Sequence, residues 1–153
     1  MKIVSTILIF LIGVCAYAQS DVKFIAFEHT GEMDHAMTTV ILSNKDFKVV
    51  KNHKFLKYKD PTLFYKIDNG LFAALIDKLS NDKNVKITYE EELGVFMTTV
   101  EQKGKIAYYT NYTFDDAKKT IAGIIAFLKS RKDTGVFIEK LERMGKEMEV
   151  RSK

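Results

Sequence analysis

The chain has 153 residues, 46% of them hydrophobic and 29% charged, with a formal net charge of +4. That length and apolar content suffice for one domain with a modest core, without the staples that very small secreted domains need. The mild charge argues against a nucleic-acid partner, and a single cysteine excludes an intramolecular disulfide framework or a cysteine-built metal site.

Residues 1–18 read as a secretory signal peptide. Lys2 supplies a short positive start, residues 3–14 form an apolar run, and Ala16-Tyr17-Ala18 offers a signal peptidase its small-x-small pattern, with cleavage before Gln19. The run is shorter than the ~20 residues that a bilayer span requires. Val14 stands before Cys15 where lipoprotein processing wants a small residue, so lipidation is a poor fit. The expectation is an exported protein, periplasmic or secreted, from a bacterial envelope. Its mature part, residues 19–153, loses the only cysteine and, with Lys2 gone, carries a formal charge of +3 instead of +4.

Two runs follow, VKFIAFEH and HAMTTVILS, each rich in β-branched and aromatic residues and joined by TGEMD, which is the signature of a β-hairpin. Residues 44–66 show no clear periodicity and hold the only proline, Pro61. They read as irregular structure with one or two short strands. DNGLFAALIDKLSNDK predicts a helix, capped by Asp68 or Asn69, with Leu71, Phe72, Leu75, Ile76 and Leu79 on one stripe. In NVKITYE, Val85, Ile87 and Tyr89 alternate with polar residues as in a strand. Residues 93–112 predict a second hairpin turning at Lys103-Gly104.

Thr113 and Asp116 form a capping-box pattern at the start of a second helix, whose predicted buried face is Phe114, Ala117, Ile121, Ile124, Ile125 and Leu128. A third helix, residues 136–149, should bury Phe137, Leu141, Met144 and Met148, and the last residues, EVRSK, should fray. Short turns between adjacent strands and no βαβ rhythm predict an α+β fold. It would have an antiparallel sheet of about five strands, with three helices packed on one face, in a single domain over residues 19–153.

The densest chemistry lies in EHTGEMDHAM, residues 28–37. With an odd loop over residues 30–34, His29 faces His35 and Phe27 faces Met37. His29, His35 and Met37 then share one face, with Met33 in the loop above. Imidazole and thioether together suit copper, Cu(I) above all. Over these ten residues the string is similar to the Met- and His-containing patches of exported copper-binding proteins. With an even loop, turning at Gly31-Glu32, His29 pairs with Asp34 and Glu28 with His35, each pair contributing about 0.2–1 kcal/mol, and no cluster forms. A polar hairpin tip needs no function to explain it, so the structural reading leads.

Lysines at 45, 48, 51, 54, 57 and 59, with His53, alternate with Phe47, Phe55 and Tyr58. Basic residues among aromatics can bind acidic partners, but a spacing of three builds no obvious face on a helix or strand. YEEEL, residues 89–93, reads as a solvated turn. SNDK, residues 80–83, matches the S-x-x-K letters of penicillin-recognising enzymes without their helix-start setting or partner motifs. YYTNY, with Tyr108, Tyr109 and Tyr112, is a candidate contact surface near a hairpin edge. No nucleophile elbow, zinc-protease, P-loop or dinucleotide motif occurs.

The leading expectation is thus a non-catalytic envelope protein that binds a protein partner, an inhibitor or immunity-type protein being one form. Lys51, His53, Lys54, Lys57, Tyr58, Tyr108, Tyr109 and Tyr112 are its candidate contacts, and it needs no cofactor. The alternative is a periplasmic copper protein using His29, Met33, His35 and Met37. A small hydrolase built on carboxylates comes third.

Overall fold

Phe24, Ile25, Ala26 and Phe27 are consecutive and all buried. A strand apolar on both faces belongs in the middle of a sheet covered on both sides. In the computed structural model, which describes residues 21–30, 36–132 and 135–151, that is where it lies. Strand β1 (Phe24–Thr30) is followed by β2 (Ala36–Ser43), a one-turn helix α1 (Phe47–Val50), a 3-10 turn (Pro61–Leu63) and β3 (Phe64–Lys66). Then come α2 (Asn69–Ser80), β4 (Lys86–Thr88), β5 (Phe96–Gln102), β6 (Lys105–Asn111), α3 (Phe114–Ser130) and α4 (Val136–Arg151). The sheet order is β3-β2-β1-β5-β6-β4. Neighbours are antiparallel except β3, which runs parallel to β2.

The α+β class and the antiparallel body of the sheet are as the sequence predicts. The additions, a sixth strand and a fourth helix, both come from residues 44–66, which carry the chain across the sheet so that β3 can lie parallel to β2. Among the described residues no helix is long and apolar enough to cross a membrane.

One face of the sheet carries α2, α3 and α4. Ile25, Phe27, Val40, Leu42, Phe96 and Val100 pack there against Leu71, Phe72 and Leu75 of α2, Ile121 and Ile124 of α3, and Leu141 and Met144 of α4. Each fully buried aliphatic side chain contributes about 1.5–3 kcal/mol, so this cluster dominates stability. Asp68 caps α2 by accepting from the Leu71 N–H at 2.7 Å, and Thr113 caps α3 by accepting from the Asp116 N–H at 3.1 Å. Ile76, Phe114 and Ile125 are only half-buried, whereas the polar Thr120 is buried, donating to Asp82 and accepting from Asn111. Of the EVRSK tail expected to fray, residues 149–151 continue α4, and the Arg151 guanidinium donates to the Thr30 carbonyl at 2.8 Å, while residues 152–153 lie outside the described residues.

The other face is covered by residues 47–64. Val22, Phe24, Ala26, Ile41, Val50 and Leu56 form a second, smaller cluster there. Phe47, Val50, His53 and Leu56 recur every three residues, and each step is closed by a turn. His53 N–H donates to the Val50 carbonyl at 2.8 Å, and Leu56 N–H to the His53 carbonyl at 3.1 Å. A chain with about three residues per turn puts every third side chain on one side. Val50, His53 and Leu56 therefore point inward and Lys48, Lys51, Lys54 and Lys57 outward. The lysine spacing that fits neither helix nor strand is the outer side of this winding.

The first hairpin adopts neither expected register. Phe24 pairs with Ser43 and Phe27 with Val40, while His29 pairs with Met37, and a bulge between Phe27 and Glu28 leaves Thr39 as the extra residue. This register sets Ile25 against Leu42 and Phe27 against Val40, a better apolar match than Phe27 against Met37. The second hairpin turns at Lys103 and Gly104, both with positive φ (54° and 76°), the conformation that two-residue hairpin loops favour. Before β5, a Cβ on Gly94 would lie 2.4 Å from Thr110 Cγ2 and 2.5 Å from the Asn111 carbonyl oxygen, so only glycine lets β6 come this close.

Candidate functional site: a cavity over a buried carboxyl

Successive strand residues face opposite ways, so Phe24, Ala26 and Glu28 share the second face with Ile41 of β2, Thr99 and Glu101 of β5, and Tyr108 of β6. Residues 54–58 pass over this row, and between the two lies a half-open cavity of about 180 Å³. Its walls are largely apolar: Phe24, Ala26, Ile41, Phe55, Leu56 and Ile106. Its polar groups are Glu28, Thr38, Thr99 and Tyr108 on the sheet, with Lys54, Lys57 and Tyr58 from the covering segment.

Glu28 is the central polar group, only 3% exposed. The Thr99 hydroxyl donates to its Oε2 at 2.7 Å and the Thr38 hydroxyl to its Oε1 at 3.4 Å. Burial pushes its carboxyl above the ordinary value, and this outweighs the opposing pull of the Thr99 hydroxyl and of Lys57. Glu91, which is ion-paired with Lys57 at the surface, adds to the upward push. Burial also raises the Tyr108 phenol, with Glu91 acting in the same direction. Lys54 also lines the cavity, its ammonium 4.6 Å from the centre of the Phe55 ring.

A second polar pair pins the covering segment to the sheet. Fully buried Glu101 accepts from the Gly104 N–H at 2.9 Å through Oε1, while its Oε2 has no hydrogen-bond partner among the described residues. His53 Nε2 stands 3.8 Å from that oxygen. The Phe55 N–H donates to His53 Nδ1 at 3.4 Å, which puts the proton of a neutral ring on Nε2, toward Glu101. The ring also meets Phe24 edge-on, centroids 5.7 Å apart. Burial pushes His53 down and Glu101 up, so both groups favour their neutral forms. Glu101 pairs across the sheet with Phe24, four residues from Glu28. At ~3.4 Å per residue the two carboxyls are rooted about 14 Å apart along the strands.

The residues singled out in the sequence are thereby divided. His53 and Tyr108 are buried, the first anchoring the covering segment and the second lining the cavity, while Lys54, Lys57 and Tyr58 stand around it. Lys51 is exposed outside this group. Tyr109 faces the helices and hydrogen-bonds Ser80 at 3.2 Å. Tyr112 is exposed, bonded to Glu92, with Lys86 over its ring. Tyr108 and Tyr109 pair with Thr88 and Ile87 of β4, so this part of the hairpin lies inside the sheet, and Tyr112 follows the end of β6. The glutamates of YEEEL diverge, Glu91 to Lys57 and Glu92 to Lys86, and Ser80 of SNDK closes a helix, as expected.

His29 and Met37 do face each other across β1 and β2, but Met33 and His35 lie outside the described residues. Both nitrogens of His29 already have neighbours: Thr39 Oγ1 is 3.0 Å from Nδ1, and a Glu147 carboxylate oxygen is 3.6 Å from Nε2. Burial lowers its pKa, partly countered by Glu147. Among the described residues no group of three or more His, Cys, Asp or Glu side chains could hold a metal ion.

Sequence reasoning missed Glu28 as a buried group, taking it as part of a polar hairpin tip. The signal was present in FIAF: four apolar residues in a row mean two covered faces, and Glu28 is the next residue in the row of Phe24 and Ala26. A carboxyl whose two oxygens are both held by threonines is suited to orienting a ligand more than to attacking one. Compared with known protein families, with curated proteins and with solved structures, the chain gives no match.

Proposed function

We propose that the chain is an exported binding protein of the bacterial envelope, non-catalytic, holding a small and largely apolar ligand beneath residues 54–58. The observation that carries this reading is the half-open apolar cavity with one buried, hydrogen-bonded carboxyl in its wall. Concave apolar sites with a few fixed polar groups and perturbed titration are where ligands bind. Export rests on residues 1–18, with Lys2, the apolar run and Ala16-Tyr17-Ala18. The test is to purify the protein from the envelope, where its first residue should be Gln19, and follow its thermal unfolding with single-ring aromatic probes. A bound probe raises the melting temperature by mass action. Ala26→Leu, which fills the cavity, should abolish the rise. If no probe moves the wild-type transition, the cavity is not a ligand site.

A second reading, contact with a protein partner of inhibitor or immunity type, is supported by the far end of the sheet. Tyr89 is 79% exposed and borders a shallow groove on the helix side with Ile76, Ala107 and Tyr109, and Ile87 and Leu93 are exposed nearby. Tyr89→Ala should then lose whatever partner the wild-type protein retains from envelope extract, and Ala26→Leu should keep it.

A further inference from the structure

Resting on the cavity reading above, we infer that the ligand is a small amine, an apolar body of about one ring carrying an ammonium group that docks on Glu28. Size comes first. At about 180 Å³ the cavity is close to the ~150 Å³ of an engineered apolar cavity that takes up benzene, so one ring with a short arm fills it. The wall supplies that ring with Phe24, Ala26, Ile41 and Ile106, and the covering segment adds Phe55 and Leu56.

The head group follows from the charges. Within the wall the only ionisable groups on the sheet are Glu28 and Tyr108, and the phenol, pushed upward, stays neutral. Two lysines of the covering segment also line the cavity and both are engaged: Lys57 is ion-paired with Glu91, and the Lys54 ammonium lies over the Phe55 ring. An anionic ligand would therefore meet the Glu28 carboxyl inside, with Lys57 already paired to Glu91. For an ammonium that same carboxyl is a partner. Each Glu28 oxygen accepts one threonine hydroxyl and keeps a second lone pair for the ligand. The threonines have spent their only protons on Glu28, so they offer a ligand acceptors, not donors.

Charge balance gives a second signature. Burial biases the empty site toward the neutral acid. When an ammonium binds, the carboxyl ionises, its proton leaves to solvent, and a charge-assisted pair replaces a neutral group. Above pH 4.5, wherever Glu28 is still protonated in the free protein, binding releases protons.

The experiment is calorimetry on the purified protein with phenethylamine, phenethyl alcohol and phenylacetate, three probes of nearly equal shape, repeated with Glu28→Gln. The amine should bind about tenfold or more tightly than the alcohol, the acid should bind weakest, and the amine's advantage should vanish in Glu28→Gln. Titration in buffers of different ionisation enthalpy reads the released proton. Equal binding of amine and alcohol, or preference for phenylacetate, overturns the amine assignment while leaving the cavity a ligand site. Failure of all three probes in the wild-type protein overturns both. The wild-type ranking decides the matter even if Glu28→Gln does not fold.

Discussion

The two faces of the sheet are made from the same strands and treated in opposite ways. The helix side is a large apolar cluster, closed by long capped helices and interrupted only where Thr98, Asn111 and Thr120 are buried among the described residues. The opposite side has a smaller cluster, six buried apolar residues among those described, covered by a chain of single turns, and it is where Glu28, Glu101 and His53 are buried. A fold can bury such groups only if another part supplies the stability they withhold. The contrast shows where each task resides: the helix side holds the molecule together, and the second side is free to keep a cavity and an ionisable group that packing alone would never select.

That division can be broken experimentally. Leu75→Ala, in the middle of the helix-side core, should cost about 3 kcal/mol or more in denaturant unfolding, whereas Leu56→Ala, which borders the existing cavity, should cost nearer 2. Equal losses would mean that both sides carry the fold alike.

Glu28→Gln tests the polar side with a smaller effect. Because the folded state holds this acid above its ordinary 4.5, the stability it contributes is complete below that pH and is lost as pH rises through the folded value. The glutamine variant, which cannot ionise, should melt above wild type at neutral pH and alongside it in acid. A constant difference across the pH range would refute the buried-charge account. Smallest of all should be Lys57→Ala, under about 1 kcal/mol, since the Lys57–Glu91 pair is half-exposed. Its loss should shrink further in high salt.

The same contrast explains what was legible in the sequence. Helices α2, α3 and α4 announce themselves through apolar stripes and caps, because a helix against a sheet needs a wide apolar face and closed ends. The hairpins were equally clear, down to the Lys103-Gly104 turn. Residues 44–66 were not, because a period of three belongs neither to helix nor to strand, and the inward row of Val50, His53 and Leu56 appears only once the lysines are recognised as its reverse side. The register of the first hairpin was hidden by the bulge that leaves Thr39 as the extra residue. For the candidate site, Lys54, Lys57, Tyr58 and Tyr108 were visible as residue types, but the group that organises them was not. The FIAF run places Glu28 in a row that is covered, but what covers it, β5 and residues 54–58, is distant in sequence.

The outer strands have a consequence of their own. β3 and β4, at the two ends of the sheet, are three residues long, and each carries an exposed lysine, Lys66 and Lys86. Unpaired edges of longer, flatter strands invite other chains to add on and so seed fibres, and brevity and positive charge both discourage this. High local concentration should therefore not drive the chain to polymerise through these outer strands.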